Sequence, residues 1–143
     1  MTKPIYVING PNLNRLGTRE PAIYGTATLA EVEAICRKAA GKHPIVFRQS
    51  NAEFEIVNWI HEAIDHGAAI VINPAGLSFH SIPVLDALRM FPGPIVEVHL
   101  SNIHRREAQY QKSLVSLAAT GVICGLGADG YRAAVSAVAA MID

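Results

Sequence analysis

The sequence predicts an α/β fold, a doubly wound five-stranded parallel sheet in a three-layer α/β/α arrangement, read as one domain over residues 1–143. Three observations carry this. Short β-branched runs alternate with stretches of helical periodicity along the whole chain, and strands separated by helices pair in parallel through right-handed crossovers. Residues 68–72 (AAIVI) are apolar throughout, as a strand covered on both faces must be. Polar groups gather where strands end, at 9–24, 73–81 and 99–106, the side of such a sheet on which ligands bind.

Residues 4–8 (PIYVI) read as the first strand, stopped by Asn9-Gly10-Pro11. The stretch 9–25 then fails to settle into an element. Loops of that length in a compact domain are usually functional or disordered. With Pro11 and Pro21, Gly10, Gly17 and Gly25, Arg15 and Arg19, and Tyr24, it reads as a mobile active-site lid. Thr28 and Glu31 have capping-box spacing, and Leu29, Val32, Ala34, Ile35 and Ala39 keep helical spacing until Gly41. Residues 45–47 are a second strand. Ser50 and Glu53 offer another capping box, after which Ile56, Trp59, Ile60, Ala63 and Ile64 run at helical spacing to Gly67. The third strand, 68–72, ends at Asn73-Pro74-Ala75-Gly76. A helix over 81–90 carries Pro83 in its first turn, where a missing N–H costs nothing, and Pro92-Gly93-Pro94 stops it. Then come a fourth strand at 95–100, loop and short helix at 101–112, a fifth strand at 121–124, a turn at 125–130 and an alanine-rich helix at 131–142. This alternation suggests a flavodoxin-like strand order, with the three polar strand ends meeting at its switch point.

A hydrophobic content of 50% over 143 residues is ample for a sizeable core. The 12 basic and 12 acidic residues cancel, so no basic field exists to attract nucleic acid or an anionic membrane. No apolar run approaches the ~20 residues of a membrane span. A small-molecule partner is expected. Cys36 and Cys124 lie in unrelated apolar settings, with neither CxxC nor a signal peptide, which suits a reducing compartment and a cytoplasmic protein.

Several groups carry chemistry. Arg15 and Arg19 precede Tyr24, and a guanidinium beside a phenol favours the phenolate, making Tyr24 a candidate general base. Period-two alternation puts Glu97 and His99 on one face of the fourth strand. A carboxylate beside an imidazole fixes its tautomer and favours its protonated form, as a general acid working near neutrality requires. A strand-end histidine in a purely structural role remains the alternative. The N–H groups of Leu100 and Ser101, where the chain turns toward a helix, suit a carboxylate, with Arg105 and Arg106 adding positive charge. Gly125 to Gly130 matches G-x-G-x-x-G, but no further strand follows and an acidic residue ~20 positions on is missing, so a tight turn with close helix packing is expected instead of dinucleotide binding. His61 and His66 lack metal-ligand spacing on a helix. Lys3, Lys38, Lys42 and Lys112 sit at element ends or on solvated faces, not in a pocket suited to a Schiff base. A site without metal or cofactor remains, built on a tyrosine base, a histidine acid and arginines.

The runs NGPNLN, LGTREP, IYG, QSN, INP, EVHLSN with the following His104 and Arg106-Glu107, and ATGVI with GLG and Gly130-Tyr131, occur in this order along essentially the whole chain. In these the sequence resembles the type II 3-dehydroquinate dehydratases. The resemblance implies a flavodoxin-like subunit, a homo-dodecamer built as a tetramer of trimers, no cofactor, and conversion of 3-dehydroquinate to 3-dehydroshikimate. It implies that Tyr24 removes the C2 proton, that Arg19 keeps Tyr24 ionised and stabilises the enolate, and that Asn12 helps hold that enolate. His99, oriented by Glu97, would protonate the departing C1 hydroxyl, with Arg106 adding charge near Tyr24. Asn73 and the Leu100 and Ser101 amides would bind the substrate carboxylate, and Asp86 would reach a neighbouring subunit's site.

The sequence departs from the family pattern in one region. Ser78-Phe79-His80-Ser81 stands where the family usually reads Thr-His-Thr-Ser, so Phe79 occupies the place of a substrate-binding histidine and His80 falls one position later, ~100° further round a helical turn. Tyr110 stands where the family usually has an arginine that also holds ring hydroxyls, and Phe54 where it usually has glycine. The groups for proton transfer are kept and those for the distal hydroxyls are altered. Two alternatives therefore stay open: the same elimination on a related β-hydroxy ketone acid lacking distal hydroxyls, and a non-catalytic small-acid binding protein on the same scaffold.

Overall fold

The computed structural model describes residues 2–18 and 20–143. Five parallel strands, β1 (Ile5–Asn9), β2 (Ile45–Gln49), β3 (Ala69–Asn73), β4 (Ile95–His99) and β5 (Gly121–Cys124), form one sheet in the order β2-β1-β3-β4-β5. That is the doubly wound, flavodoxin-like order expected. The winding reverses between β1 and β3, whose register pairs Asn9 with Asn73 at their carboxyl ends.

Alternation along each strand sends side chains into two separate cores. Ile5 and Val7, Ala69 and Val71, and Val96 and Val98 face α2 (Leu29–Ala39) and α5 (Asp129–Ile142), which contribute Val32, Cys36, Tyr131, Val135 and Val138. Tyr6 and Ile8, Ile70 and Ile72, and Ile95 face α3 (Glu53–His66) and α4 (Ile82–Arg89), which contribute Ile56, Ile60, Ala63, Val84 and Leu88. Each fully buried aliphatic side chain contributes about 1.5–3 kcal/mol relative to exposure, and β1, β3 and β4 are buried along their whole length. Period two also puts Glu97 and His99 on the α3–α4 side of β4, within the sheet's buried interior.

Helix termini show where local signals held. Thr28 caps α2 through a complete capping box with Glu31. The second expected box does not form. Ala52 occupies the N-cap of α3, while Ser50 accepts from the Ala52 N–H and donates to Glu55, and Glu53 instead accepts from the Ser81 hydroxyl that caps α4. The tertiary contact to Ser81 draws Glu53 away from its local role.

The described residues between 9 and 25 form more structure than their composition suggests. A 3-10 turn, Leu13–Arg15, buries Leu13 and is followed by buried Leu16, so apolar anchors fix the loop to the α2–α5 core. A single helical turn, α1 (Pro21–Tyr24), begins after Glu20, which takes a left-handed φ of 36°. Gly10 is dictated by proximity: a Cβ there would lie 2.4 Å from the Pro74 carbonyl oxygen, so the loops leaving β1 and β3 approach closely only because residue 10 has none. After β5 the glycines serve a turn, as expected. Gly125 has φ +89° against Asn102, and a Cβ at Gly130 would lie 3.3 Å from Val98, which packs α5 tightly on the sheet. No helix among the described residues is long and apolar enough to cross a membrane. Cys36 and Cys124 are free thiols, and burial pushes the Cys36 thiol up to about 12.

Candidate active site

The carboxyl ends of β1, β3 and β4 open on one cavity of about 200 Å³. Asn12 and Tyr24 reach it from the loop after β1, Asn73 and Phe79 from the end of β3 and the turn Ala75–Phe79, and His99 to Ser101, Arg106 and Tyr110 from β4 and its following segment. The three strand ends picked out in the sequence thus meet. Nine of the expected site residues line the cavity: Asn12, Tyr24, Asn73, Phe79, His99, Leu100, Ser101, Arg106 and Tyr110.

The others fall elsewhere. Glu97 stands behind His99, fully buried. His80 is exposed and outside the cavity, because the turn that brings Phe79 inward carries the next residue outward. Asp86 is exposed on α4, and Arg15 and Arg105 are exposed and do not line the cavity. Arg19 lies outside the described residues.

Glu97 and His99 form a buried pair, with His99 Nε2 2.5 Å from Glu97 Oε2. Burial pushes the Glu97 carboxyl up, but the hydrogen bond and charge of His99 together with the Ser113 and Ser116 hydroxyls outweigh it and leave Glu97 below its ordinary range. An ionised carboxylate only accepts, so Nε2 carries hydrogen toward Glu97 and Nδ1 is the ring nitrogen left for a substrate. The Ser116 hydroxyl donates to the other oxygen, Glu97 Oε1. Ser113 stands near enough to favour the charge but outside hydrogen-bond geometry. Removing either partner of such a pair strands a polar group in the interior, at a cost of several kcal/mol.

On the facing side the Arg106 guanidinium lies 5.5 Å from the Tyr24 ring centroid and 4.2 Å from that of Tyr110. One fixed cation therefore spans the candidate base and the altered position 110. Phe79 meets Tyr110 edge to face at 5.5 Å and stacks on His99 at 6.4 Å. The two residues that replace the expected polar pair are in contact with each other and form an aromatic wall. The chemistry on one side and this wall on the other share the same 200 Å³.

Backbone strain borders the cavity. Asn12 and Ala75 take left-handed φ values of 73° and 51°, conformations that cost a residue with a Cβ about 1 kcal/mol or more. Both are held by side chains: Asn51 Oδ1 accepts from the Asn12 N–H at 2.8 Å, and Asn73 Oδ1 accepts from the Ala75 N–H at 3.1 Å. Gln49 donates to Asn51 Oδ1 and the Gly10 carbonyl, which assigns the QSN run at the end of β2 the task of clamping the loop's entry. The sequence alone assigns that run no role. No local signal marks Ser113 or Ser116, and Tyr131 stands in the sequence only as part of the Gly130-Tyr131 motif, with no role attached.

The four lysines of the chain are all exposed, and none lines the cavity. Among the described residues no group of three or more His, Cys, Asp or Glu side chains has a metal-holding arrangement.

Comparison with known proteins shows the family. The chain is 57% identical to a protein named 3-dehydroquinate dehydratase from Streptomyces avermitilis, over 98% of this chain and 90% of that one. It is 52% identical to a protein of the same name from Salinispora arenicola, over 95% and 96%. The crystal structure of a type II dehydroquinase from Propionibacterium acnes matches with a TM-score of 0.92 at 44% identity, over 98% of both chains. The family model described as Dehydroquinase class II matches residues 3–139, and with a tyrosine, a carboxylate-bound histidine and an arginine on one cavity at the switch point, the chain belongs to the type II dehydroquinase family.

Proposed function

We propose that this chain is a hydro-lyase that converts 3-dehydroquinate to 3-dehydroshikimate through an enolate. The observation that carries the reading is the convergence on one cavity of Tyr24 and of His99, whose Nε2 is taken by buried Glu97. Binding alone would require neither a base nor an acid, which counts against a non-catalytic acid-binding role. Tyr24 as phenolate takes the C2 proton, and the electron pair moves into the carbonyl to form the enolate. Asn12 holds that enolate, and the Arg106 cation, with Arg19, favours both negative charges. His99 then passes a proton to the C1 hydroxyl, the C–O bond breaks, and water leaves as the C1–C2 double bond forms. Asn73 and the Leu100 and Ser101 N–H groups hold the substrate carboxylate. The loop 10–25, pinned by Leu13 and Leu16 but carrying Tyr24 on a short exposed turn, closes over the substrate as a lid.

In this reading the enzyme acts in the cytoplasm as a dodecamer, a tetramer of trimers, in which Asp86 reaches a neighbour's site. Exposed Ile82 and Met90 beside Asp86 on or next to α4 support an interface on that face. A second reading, elimination on a β-hydroxy ketone acid without distal hydroxyls, is favoured by the Phe79–Tyr110 wall. Purified protein mixed with 3-dehydroquinate should develop the enone absorbance of 3-dehydroshikimate. No rise at micromolar enzyme, with turnover of an analogue lacking those hydroxyls, would select the second reading.

A further inference from the structure

Behind the cavity floor the polar atoms of β1, β3 and α5 form one directed chain. Asn9 Nδ2 donates to the Arg48 carbonyl at 3.0 Å, so Asn9 Oδ1 is the atom turned toward α5, and it accepts from the Tyr131 hydroxyl at 2.7 Å. The single Tyr131 proton is then committed, and its oxygen accepts from Asn73 Nδ2 at 2.9 Å. Asn73 Oδ1 faces the Ala75 N–H. The order cannot be reversed at Asn73 alone. Turning its amide over would set a carbonyl oxygen against a phenol oxygen with no hydrogen to give, and an NH₂ against the Ala75 N–H. Tyr131 and Asn9 are fully buried, where water cannot repair such mismatches. Burial also raises the Tyr131 pKa far above neutrality, so the phenol keeps its proton.

An amide NH₂ has two hydrogens, and Tyr131 takes one. Asn73 also lines the cavity beside His99 and Leu100. We infer that Tyr131 is a positioning residue for catalysis: its hydroxyl fixes the Asn73 amide so that the second N–H is presented to a substrate oxygen while the first is held. The same lock keeps Asn73 Oδ1 on Ala75, whose left-handed backbone leads into the turn that carries Phe79. This inference rests on the reading of Asn73 as a substrate-binding group.

The test is a double-mutant cycle on the full chain with Tyr131→Phe, Asn73→Ala and both, measuring kcat and KM with 3-dehydroquinate and the melting temperature of each protein. A contact made equally in ground and transition states appears in KM, so Tyr131→Phe should raise KM about tenfold with a smaller change in kcat. In the Asn73→Ala background the same change should leave kcat/KM within about twofold, although it lowers the melting temperature in both. Asn9→Ala, which leaves the Tyr131 ring in place but frees its proton, should shift KM in the same direction and replaces Tyr131→Phe if that variant does not fold. Equal losses of kcat/KM from Tyr131→Phe in both backgrounds, or no kinetic effect in a folded variant, would overturn the positioning role. Unchanged kcat/KM in Asn73→Ala would instead overturn the assignment of Asn73, and the inference with it.

Discussion

Restoring polar groups at positions 79 and 110 tests how this pocket recognises its substrate. The expected variant is Phe79→His with Tyr110→Arg. A substrate hydroxyl buried against Phe79 or Tyr110 carbon without a partner costs about 1–3 kcal/mol. Two such losses together amount to roughly 10²-fold in kcat/KM or more. The structure also makes the two positions dependent on each other. Phe79 and Tyr110 meet edge to face at 5.5 Å, a contact of about 0.5–1.5 kcal/mol, which Tyr110→Arg removes and Phe79→His, with its smaller polar ring, weakens. Tyr110→Arg alone also replaces the ring under Arg106, at 4.2 Å, with a second cation, giving up about 0.5–2 kcal/mol of attraction and adding repulsion beside Tyr24. Each single change supplies one polar partner to a shared cluster of hydroxyls and leaves the other missing, so each alone should gain less than the double change. The double change should raise kcat/KM for 3-dehydroquinate by about 10-fold or more over the native protein, followed by enone absorbance. Native activity that the double change leaves unaltered or lowers would refute the reasoning, and would mean that the aromatic wall recognises the ring in its own way.

Tyr24→Phe removes the proposed base but leaves the proposed carboxylate-binding groups, so kcat should fall by ~10² or more while binding of a product-like carboxylate, measured by calorimetry, survives; near-native turnover would exclude Tyr24 as the base. With all four lysines exposed away from the cavity, borohydride added during turnover should leave the intact mass and the activity unchanged, and a stable adduct would point to an imine. Because the folded Glu97 carboxyl titrates below its ordinary value, its contribution to stability is present above about pH 4.3 and is lost as pH falls through the folded pKa. The difference in melting temperature between the native protein and Glu97→Gln should therefore shrink in acid, and a gap that stays constant down to pH 3 would show that Glu97 carries no shift.

What was legible in the sequence followed the range of the interactions involved. The Glu97–His99 pair needed only period two, and the α2 capping box only a spacing of three, so both could be read and both are present. Strands β1, β3 and β5 were legible because apolar runs end in turn residues, although β1 and β3 each continue one residue further, to Asn9 and Asn73, and it is those two residues that meet at the switch point. The turn Ala75–Phe79 and helix α1 were not legible. Each depends on a left-handed backbone at a residue other than glycine, Ala75 and Glu20, and for Ala75 that conformation is held by a contact with Asn73 rather than by its own propensity. Ser116 and Tyr131 act across 19 and 122 residues of chain, separations at which no local pattern survives.

Two parts of the site, at the ends of β3 and β4, rest on the same physical device, and the wall formed by Phe79 and Tyr110 does not. His99 is held by Glu97, which Ser116 holds in turn, and Asn73 by Tyr131, which Asn9 holds in turn, so that a substitution within either chain strands a neighbour. Phe79 and Tyr110 are half-buried, make their contacts through ring faces and edges, and have no buried polar partner to strand. A polar pair can be exchanged there for an aromatic pair at the cost of a packing contact. The same exchange at Glu97 or Tyr131 would leave unpaired polar atoms in the interior, costing about 1–3 kcal/mol each out of a total stability of only about 5–15 kcal/mol. Substitution at the aromatic wall should therefore disturb the interior less than substitution at the strand ends, so on the proposed function it is the pair at 79 and 110 where a change of substrate selection is expected.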